Sequence, residues 1–347
     1  RQAPLALLVG SALLAAALLG CGDSGRSGPR LPAADGIASD DAAAVTDELI
    51  PGTSGGPKTE ADEPPPRATT PATLAEAMAV VDLRDLTPSE GISDVDLSIA
   101  TATYNVRKNI TDALEDAGRK LIAMGFHEDP RQGVAYVSPE LAQATYSKGD
   151  FRVSLAVTPK FDDVKSSNVR LQNLGNVDSR TLPSLPDAQV LNRGPTSTTY
   201  VTPDSTEEMV EATRKILAEA GWQEYAPVSA ATLASPDRQT LNFRQNAINL
   251  TALIGTAPTR EEQTTLQYGT TLLSHELPAA PEAVEIKYDD YQPLLTYKSA
   301  QPSAEIADFY RQELKGQGWQ DKSGVTIGNE QRIVLAFENS DQAARMT

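Results

Sequence analysis

Few residues in this chain can do chemistry, because its 347 residues include only one cysteine and two histidines. The cysteine is Cys21, and the histidines are His127 and His275. The histidines occupy different places in a repeated pattern described below, so a metal site or catalytic triad would have to span separate units. The chain has no phosphate-binding glycine loop, cysteine pair, HExxH motif or GxSxG motif. We therefore expect no catalytic residues, no metal and no cofactor.

Acidic residues are the other candidates, notably the pairs Asp162-Asp163 and Asp289-Asp290. Neither pair has the alternating acidic residues and the glycine of a dedicated calcium loop, so both are interpreted as solvated turns. The formal net charge of the whole chain is −17. Binding to nucleic acid needs clustered lysine and arginine that contact phosphates, so a nucleic-acid partner is not expected.

The surroundings of Cys21 indicate where the protein goes. Leu5 to Leu19 is an apolar run interrupted only by glycine and serine, shorter than the roughly 20 residues of a membrane-spanning helix but of the length found in signal peptides. The run ends in Leu18-Leu19-Gly20-Cys21, which resembles the lipobox of bacterial lipoproteins. The resemblance implies that residues 1–21 are a lipoprotein signal peptide and that Cys21 is lipidated. An ordinary secretory signal with an incidental cysteine is the alternative.

The next segment, residues 22–76, is rich in alanine, glycine, proline and serine and carries ten acidic but only four basic residues. Such a composition cannot bury enough apolar surface to offset the entropy lost on ordering. We therefore expect a disordered acidic tether, which would hold a folded part away from a membrane surface.

A pattern of tyrosine followed 21 positions later by glycine and then by an aromatic residue occurs three times. The three sets are Tyr104, Gly125 and Phe126; Tyr200, Gly221 and Trp222; and Tyr297, Gly318 and Trp319. Between tyrosine and glycine, apolar or small residues recur at steps of four, four and three, the spacing of one helical face. Each glycine is suited to the left-handed position after a helix, with the aromatic residue packed on a leucine of the last turn.

Strand-like segments flank each predicted helix. Alternating apolar residues in Phe151–Val157 and Ile248–Ile254 are typical of strands that bury one face. Together these elements predict an α+β fold of three tandem β-β-α-β-β two-layer modules, each an antiparallel sheet with one helix. The predicted modules are residues 77–165, 180–262 and 276–347. The third has too few residues for its last strand, so we expect it to be incomplete, as in a gene fragment.

The helix and glycine signature of the third module, Ala307-Asp308-Phe309-Tyr310-Arg311-Gln312-Glu313-Leu314 with Gly318-Trp319, is similar to that of small uncharacterised α+β modules in secreted bacterial lipoproteins. The resemblance implies no particular activity. It agrees with a location in the bacterial cell envelope, with the folded part periplasmic or extracellular.

Two functions remain open at this point. The first is a lipid-anchored envelope protein whose tandem modules bind or scaffold an envelope protein or polysaccharide, with the membrane contacted through the anchor. The second is a hydrolase that uses serine and carboxylate groups in a groove between modules, or one completed by sequence after Thr347. The scarcity of catalytic residue types favours the first.

Overall fold

The computed structural model describes residues 66, 68–86, 91–129, 136–161, 163–228, 238–257, 260–323, 327–329, 332–338 and 343–346. All of them belong to one compact unit, Glu63–Thr347. Cys21, the predicted signal peptide and most of the predicted tether lie outside the described residues. Within the part that is described, no helix combines the length and the apolar character needed to cross a membrane.

The described fold mixes a few helices with many strands, most of them antiparallel, as the predicted α+β class requires. Its α-helices are α1 (Leu74–Val80), α2 (Ile110–Ala123), α3 (Thr206–Glu219) and α4 (Ser303–Gly316). Short 3₁₀ helices occupy Leu83–Asp85 and Ser179–Thr181. Helices α2, α3 and α4 are the three that the repeated pattern predicts.

The predicted starts of these helices are confirmed. Ser205 and Glu208 form both hydrogen bonds of a capping box at α3, and the Asn109 side chain accepts the Asp112 N–H at α2. Helix α4 starts after Pro302 without a side-chain cap. Each arrangement follows the local sequence, since Ser and Asn side chains satisfy backbone donors that a helix leaves free and proline has no such side chain.

The predicted ends are confirmed as well. Gly125, Gly221 and Gly318 have φ angles of +87°, +86° and +87°. The N–H of the next aromatic residue donates to the leucine carbonyl five residues earlier, at 3.0 Å in α2, 2.9 Å in α3 and 2.8 Å in α4. This is the Schellman motif, in which a left-handed glycine lets the chain turn back and bond the last turn of the helix.

The first sheet is antiparallel. Its order is β1 (Ile92–Leu97), β2 (Thr101–Val106), β7 (Asp163–Gly175), β6 (Phe151–Lys160), β5 (Ala142–Lys148) and β3 (His127–Glu128), with β4 (Tyr136–Val137) paired to β5. Helix α2 packs across β5, β6 and β7. The core between them contains residues of the predicted strand Phe151–Val157, of which Val153, Leu155 and Val157 are fully buried.

The second sheet repeats this order and continues it by two strands. Its order is β8 (Gln189–Arg193), β9 (Ser197–Thr202), β13 (Arg260–Leu272), β12 (Ile248–Ala257), β11 (Arg238–Gln245), β10 (Gln223–Pro227), β14 (Val284–Asp289) and β15 (Leu294–Lys298). Helix α3 packs on β10 to β13. All pairs are antiparallel except β10 with β14, which is parallel.

The third sheet is small. Its order is β16 (Gln320–Asp321), β18 (Arg332–Glu338) and β17 (Ile327–Asn329), with β19 (Ala343–Met346) paired to β18. Helix α4 packs on β16 and β18. The core here has far fewer members than the other two, with Ala307, Tyr310, Leu314, Leu335 and Phe337 as its buried residues.

Two long strands are additional to those of the predicted β-β-α-β-β order. Strands β7 and β13, each of 13 residues, extend well past the predicted module ends at 165 and 262. Both sequences are dominated by polar and charged residues, which is why they resemble linkers. They are strands because alternate side chains, Val169 and Leu171 or Leu266 and Tyr268, face the core with 0% exposure.

The predicted tether is too long at its C-terminal end. Its last residues include the start of α1, where Thr73 and Glu76 form a capping box. Ala72 and Ala77 are buried with 4% and 0% exposure. The physical reason is a Thr-x-x-Glu signal followed by a helix-favouring alanine-rich segment, which outweighs the polar composition of the preceding residues.

Candidate functional site

The sequence candidates occupy separate places in the structure. His127 lies in β3 at the edge of the first sheet, whereas His275 lies in the segment between β13 and β14. Cys21 lies outside the described residues, as does Asp162. Of the acidic pairs, Asp289-Asp290 falls at the end of β14, close to His275.

His127 is paired with a serine. Its Nε2 lies 3.1 Å from the Oγ of Ser147 on β5, directly opposite it in the strand pairing. A serine next to an imidazole is the core of many hydrolase sites. Ser147 is only 1% exposed, however, so this pair fastens β3 to β5 and offers no accessible nucleophile.

A cluster of interacting ionisable groups surrounds the buried Tyr288 on β14. We call Arg244, His275, Tyr288 and Asp290 the Tyr288 cluster. The hydroxyl of Tyr288 has a single proton to donate, and two acceptors share it: Oδ1 of Asp290 at 2.7 Å and the carbonyl oxygen of His275 at 2.6 Å. The sequence placed His275 in a linker and Asp290 in an acidic turn, and the fold brings the two together.

Asp290 is held by backbone as well as side-chain donors. The N–H of Ser274 donates to Oδ2 at 2.8 Å and the N–H of His275 to Oδ1 at 3.0 Å. The Nδ1 of His275 lies 3.1 Å from the Asp290 carbonyl oxygen. Burial by itself raises the pKa of Asp290, but the hydrogen bonds from His275, Ser274 and Tyr288 outweigh it and hold the pKa below its usual value. The group is therefore a carboxylate at neutral pH.

Tyr288 stays protonated for the complementary reason. Burial, and then the charge of Asp290 and the hydrogen bond to it, raise the pKa of Tyr288 far above the usual value for a phenol. Its ring packs edge-to-face on Tyr225, with ring centroids 5.6 Å apart, and it is 2% exposed. A permanently protonated phenol acts here as a hydrogen-bond donor.

Arg244 closes the cluster on the side of β11. Its guanidinium lies 5.5 Å from the centroid of the Tyr288 ring and donates to the Gln223 side chain at 3.1 and 3.2 Å and to the Leu277 carbonyl oxygen at 2.7 Å. The residue is 7% exposed. Burial lowers the pKa of Arg244, but an arginine remains charged in proteins. Cation–π contact and these hydrogen bonds offset its desolvation.

The chemistry of the Tyr288 cluster suits a structural role, in which it holds separate parts of the chain together. Its hydrogen bonds reach several parts of the chain: Ser274 and His275 after β13, Leu277 in the linker, and Gln223 on β10. The cluster thus fixes the linker and β14 against β10 and β11. Sequence reasoning missed Arg244 and Tyr288, because no local pattern marks either of them.

A second set of contacts ties down the entry of the chain, residues 69–74, which we call the strap. Asn176 accepts the Ala72 N–H at 3.0 Å and donates to the Thr70 carbonyl oxygen at 2.9 Å. The Asn176 carbonyl oxygen accepts the Thr69 hydroxyl at 2.8 Å. The strap therefore lies against the segment that joins β7 to β8.

The strap also contacts the second sheet and the linker that follows it. Asn246 donates to the Pro71 carbonyl oxygen at 2.7 Å, and Glu276 accepts the Leu74 N–H at 2.6 Å. Burial raises the pKa of Glu276, and the hydrogen bond from Leu74 offsets this only in part. The strap thus joins the end of the first sheet to the second.

The two sheets also touch directly. The Thr270 hydroxyl on β13 donates to the Leu174 carbonyl oxygen on β7 at 2.9 Å. Gly175, with a φ of +79°, faces Ile248, and a Cβ added there would lie 2.6 Å from the Ile248 Cδ1. Only glycine both adopts this conformation and allows this approach.

Comparison with known proteins gave one similarity. The family model described as START domain-like matches residues 290–346, from Asp290 through β15 and α4 to β19. This segment is well under half of the chain, so the similarity describes the part around α4. No curated protein and no solved structure matched.

Proposed function

We propose that this protein is a lipid-anchored lipoprotein of the bacterial cell envelope, whose folded part binds or scaffolds another envelope component, a protein or a polysaccharide. In this proposal Cys21 carries the lipid and the folded part is periplasmic or extracellular. The residues after Cys21 form a tether that ends at the strap. The tether is shorter at its C-terminal end than the sequence alone predicts.

The observation that carries the proposal is the position of the strap relative to Cys21. Among the described residues, Thr69 is the first that forms a hydrogen bond with the folded part, and it lies 48 residues after the cysteine (69 − 21). An acidic, proline-rich and glycine-rich linker of that length spans roughly 35–40 Å root-mean-square. A fixed entry point combined with a polar linker suits a protein that holds a binding surface away from a membrane.

We further propose that the folded part consists of three tandem modules built on one plan. Three features support a common plan: the helices α2, α3 and α4 end in the same Schellman motif, the first hairpin of each set contains a register shift, and the first two sheets share their strand order. Each module then has the order β-β-α-β-β-β, with a further short strand directly after the helix. The module is therefore longer than the β-β-α-β-β unit that the sequence predicts.

The anchor is tested by fractionation of bacteria that produce the full-length chain. We expect the wild-type protein in the membrane fraction and Cys21→Ser in the soluble fraction, because each buried methylene of an acyl chain contributes about 0.8 kcal/mol to membrane binding. Ser24→Ala, three residues downstream, is the matched control and stays with the membrane. A Cys21→Ser protein that remains in the membrane fraction contradicts the proposal.

A further inference from the structure

The strap is held mainly through its backbone. The Asn176 side chain bonds backbone groups of Thr70 and Ala72, and the Ala72 carbonyl oxygen also accepts the Ala247 N–H at 3.1 Å. Ala247 belongs, with Asn246, to the turn between β11 and β12. The strap thus occupies a groove whose walls are this turn and the segment that joins β7 to β8.

Little apolar surface fastens the strap and α1. The side chains that they bury are small ones, Pro71, Ala72 and Ala77, whereas Leu74 and Val80 are only partly buried. Small side chains contribute little to burial, because the hydrophobic free energy grows with the apolar area removed from water. The attachment therefore depends on hydrogen bonds, each of which adds only modestly to stability.

The chain is held much more firmly directly after α1. Val81, Leu83 and Leu86 are buried in the core of the first sheet, and the Leu83 N–H donates to the Ile99 carbonyl oxygen at 3.3 Å. The buried alanines of the strap and α1 belong instead to the core of the second sheet. The strap and α1 therefore form an arm that leaves the first core after α1 and rests on the second.

We propose that the strap and α1 are a latch at the end of the tether. They undock together while both sheets stay folded, as segments with few buried apolar contacts open locally, and the tether then continues to Leu83 instead of ending at Thr69. Undocking adds 14 residues (83 − 69), which span about 46–50 Å when fully extended. This inference rests on the proposed anchor at Cys21, since only an anchored chain is pulled from this end.

The order of the contacts suits release by a pull from the membrane. The tether enters at Thr69, whose hydroxyl donates to the Asn176 carbonyl oxygen at 2.8 Å, and the later contacts follow in chain order up to the Leu74 N–H on Glu276 at 2.6 Å. A force applied before Thr69 loads these bonds one after another, so each breaks at a small load. An anchored protein whose partner lies beyond the reach of the docked tether would therefore lengthen its tether before its sheets unfold.

Hydrogen exchange followed by NMR on the full-length Cys21→Ser chain tests the latch without the lipid. We expect the amides of Ala72, Leu74 and Ala77 to share one local opening and to exchange at least about a hundredfold faster than those of β12. The Leu83 amide should exchange slowly, with the first sheet. Equal protection of Ala72 and β12, or an opening that includes Leu83, would overturn the inference.

Asn246→Gly weakens the latch and suits the turn. Asn246 has a φ of +52°, and the equivalent turn between β5 and β6 has Gly149, with a φ of +61°, at this position. The variant loses the hydrogen bond to the Pro71 carbonyl oxygen, so the strap and α1 amides should exchange about fivefold faster, with β12 unchanged.

Asn168→Ala is the matched control, because it removes a side-chain hydrogen bond of 3.0 Å to Asn105 within the first sheet. Exchange of the strap amides should stay at the wild-type rate in this variant. No acceleration in Asn246→Gly, or equal acceleration in both variants, would contradict the latch.

A single-molecule pulling experiment measures the lengthening directly. Cys21, the one cysteine of the chain, is one attachment point in protein produced without export, and Lys165→Cys on β7 supplies the other. We expect a reversible step of up to about 46–50 Å at a lower force than any unfolding step, and Asn246→Gly should lower the force of that step alone. A first step that unfolds the whole first sheet would overturn the inference. Neither experiment involves the lipid, so failure of the latch and failure of the anchor are distinguishable.

Discussion

The phenol of Tyr288 donates a hydrogen bond of 2.7 Å to the carboxylate of Asp290 two residues later, across the turn that ends β14. The same phenol bonds the His275 carbonyl oxygen at 2.6 Å, so one hydroxyl joins the turn to the linker before the strand. This relationship makes the Tyr288 cluster the point at which the segment carrying α4 is fastened to the second sheet.

Removing the Tyr288 hydroxyl should destabilise the attachment of this segment to the second sheet. We expect Tyr288→Phe to lower the free energy of unfolding by about 1.5–3 kcal/mol, since hydrogen bonds to charged groups are the stronger class. Tyr225→Phe is the matched control, because its hydroxyl donates at 2.9 Å to the neutral Asn249 side chain and should cost about 0.5–1.5 kcal/mol. Urea unfolding measures both, and equal costs would contradict a charged acceptor at Tyr288.

The carboxyl group of Asp290 should make stability depend on pH in one direction. Its folded-state pKa lies below the unfolded value of about 3.9, so it stabilises the fold above that pH and the contribution is lost as the pH falls through the folded pKa. We therefore expect Asp290→Asn to lower the unfolding free energy at pH 7, with a smaller difference from wild type toward pH 3. A difference that grows on acidification would reverse the assignment.

For Glu276, in the same region, the expected dependence of stability on pH has the opposite direction. Its folded pKa is raised above the unfolded value of about 4.3, so its contribution is full below that value and is lost as the pH rises through the folded pKa. Glu276→Gln keeps an oxygen for the Leu74 N–H and should leave the protein as stable as wild type, or more stable, at pH 7. Chemical denaturation at pH 3 and pH 7 checks this, and a variant much less stable at pH 7 is the contrary result.

Replacing a glycine that has the left-handed backbone conformation should lower the free energy of unfolding. Gly221→Ala should lower the unfolding free energy by about 1 kcal/mol because its φ is +86°. Gly269→Ala on β13, where the φ is ordinary and no atom lies within 4 Å of an added Cβ, is the control and should be neutral or slightly stabilising. Trp222 is only 6% exposed, so Trp222→Ala should lower the free energy of unfolding by about 3–5 kcal/mol. Equal effects of the two glycine replacements would remove the cap as an explanation.

Asn176 is expected to hold the strap. Its side chain is 8% exposed and bonds two strap residues, so Asn176→Ala should cost about 1–3 kcal/mol by leaving buried backbone groups unpaired. Limited proteolysis of the folded protein should then cleave within the strap sooner than in wild type. Asn249→Ala on β12 is the control, since Asn249 makes no strap contact among the described residues, and equally early cleavage in that variant would argue against a local role for Asn176.

Helices were predictable to their ends, because the signals that set them lie within a few residues. The Ser205 and Glu208 capping box and the Gly221 turn both act over one helical turn. The capping box of Thr73 and Glu76 could have been recognised in the same way, but the surrounding polar composition concealed it.

Features that depend on distant parts of the chain could not be predicted. Strand β13 has few apolar residues, so it is a strand because β9 and β12 flank it. Arg244 and Tyr288 are 44 residues apart (288 − 244), and their contact arises from the parallel pairing of β10 with β14. No periodicity in either segment reveals such a contact.

The central claim, a lipid anchor at Cys21, is tested most directly by the mass of the mature N-terminus. The protein is extracted from bacterial membranes, cleaved by a protease, and its N-terminal peptide is identified by mass spectrometry. We expect a peptide that begins at Cys21 and carries the added mass of its acyl chains. A mature N-terminal peptide with an unmodified Cys21, or one that still contains residues before it, would contradict the account.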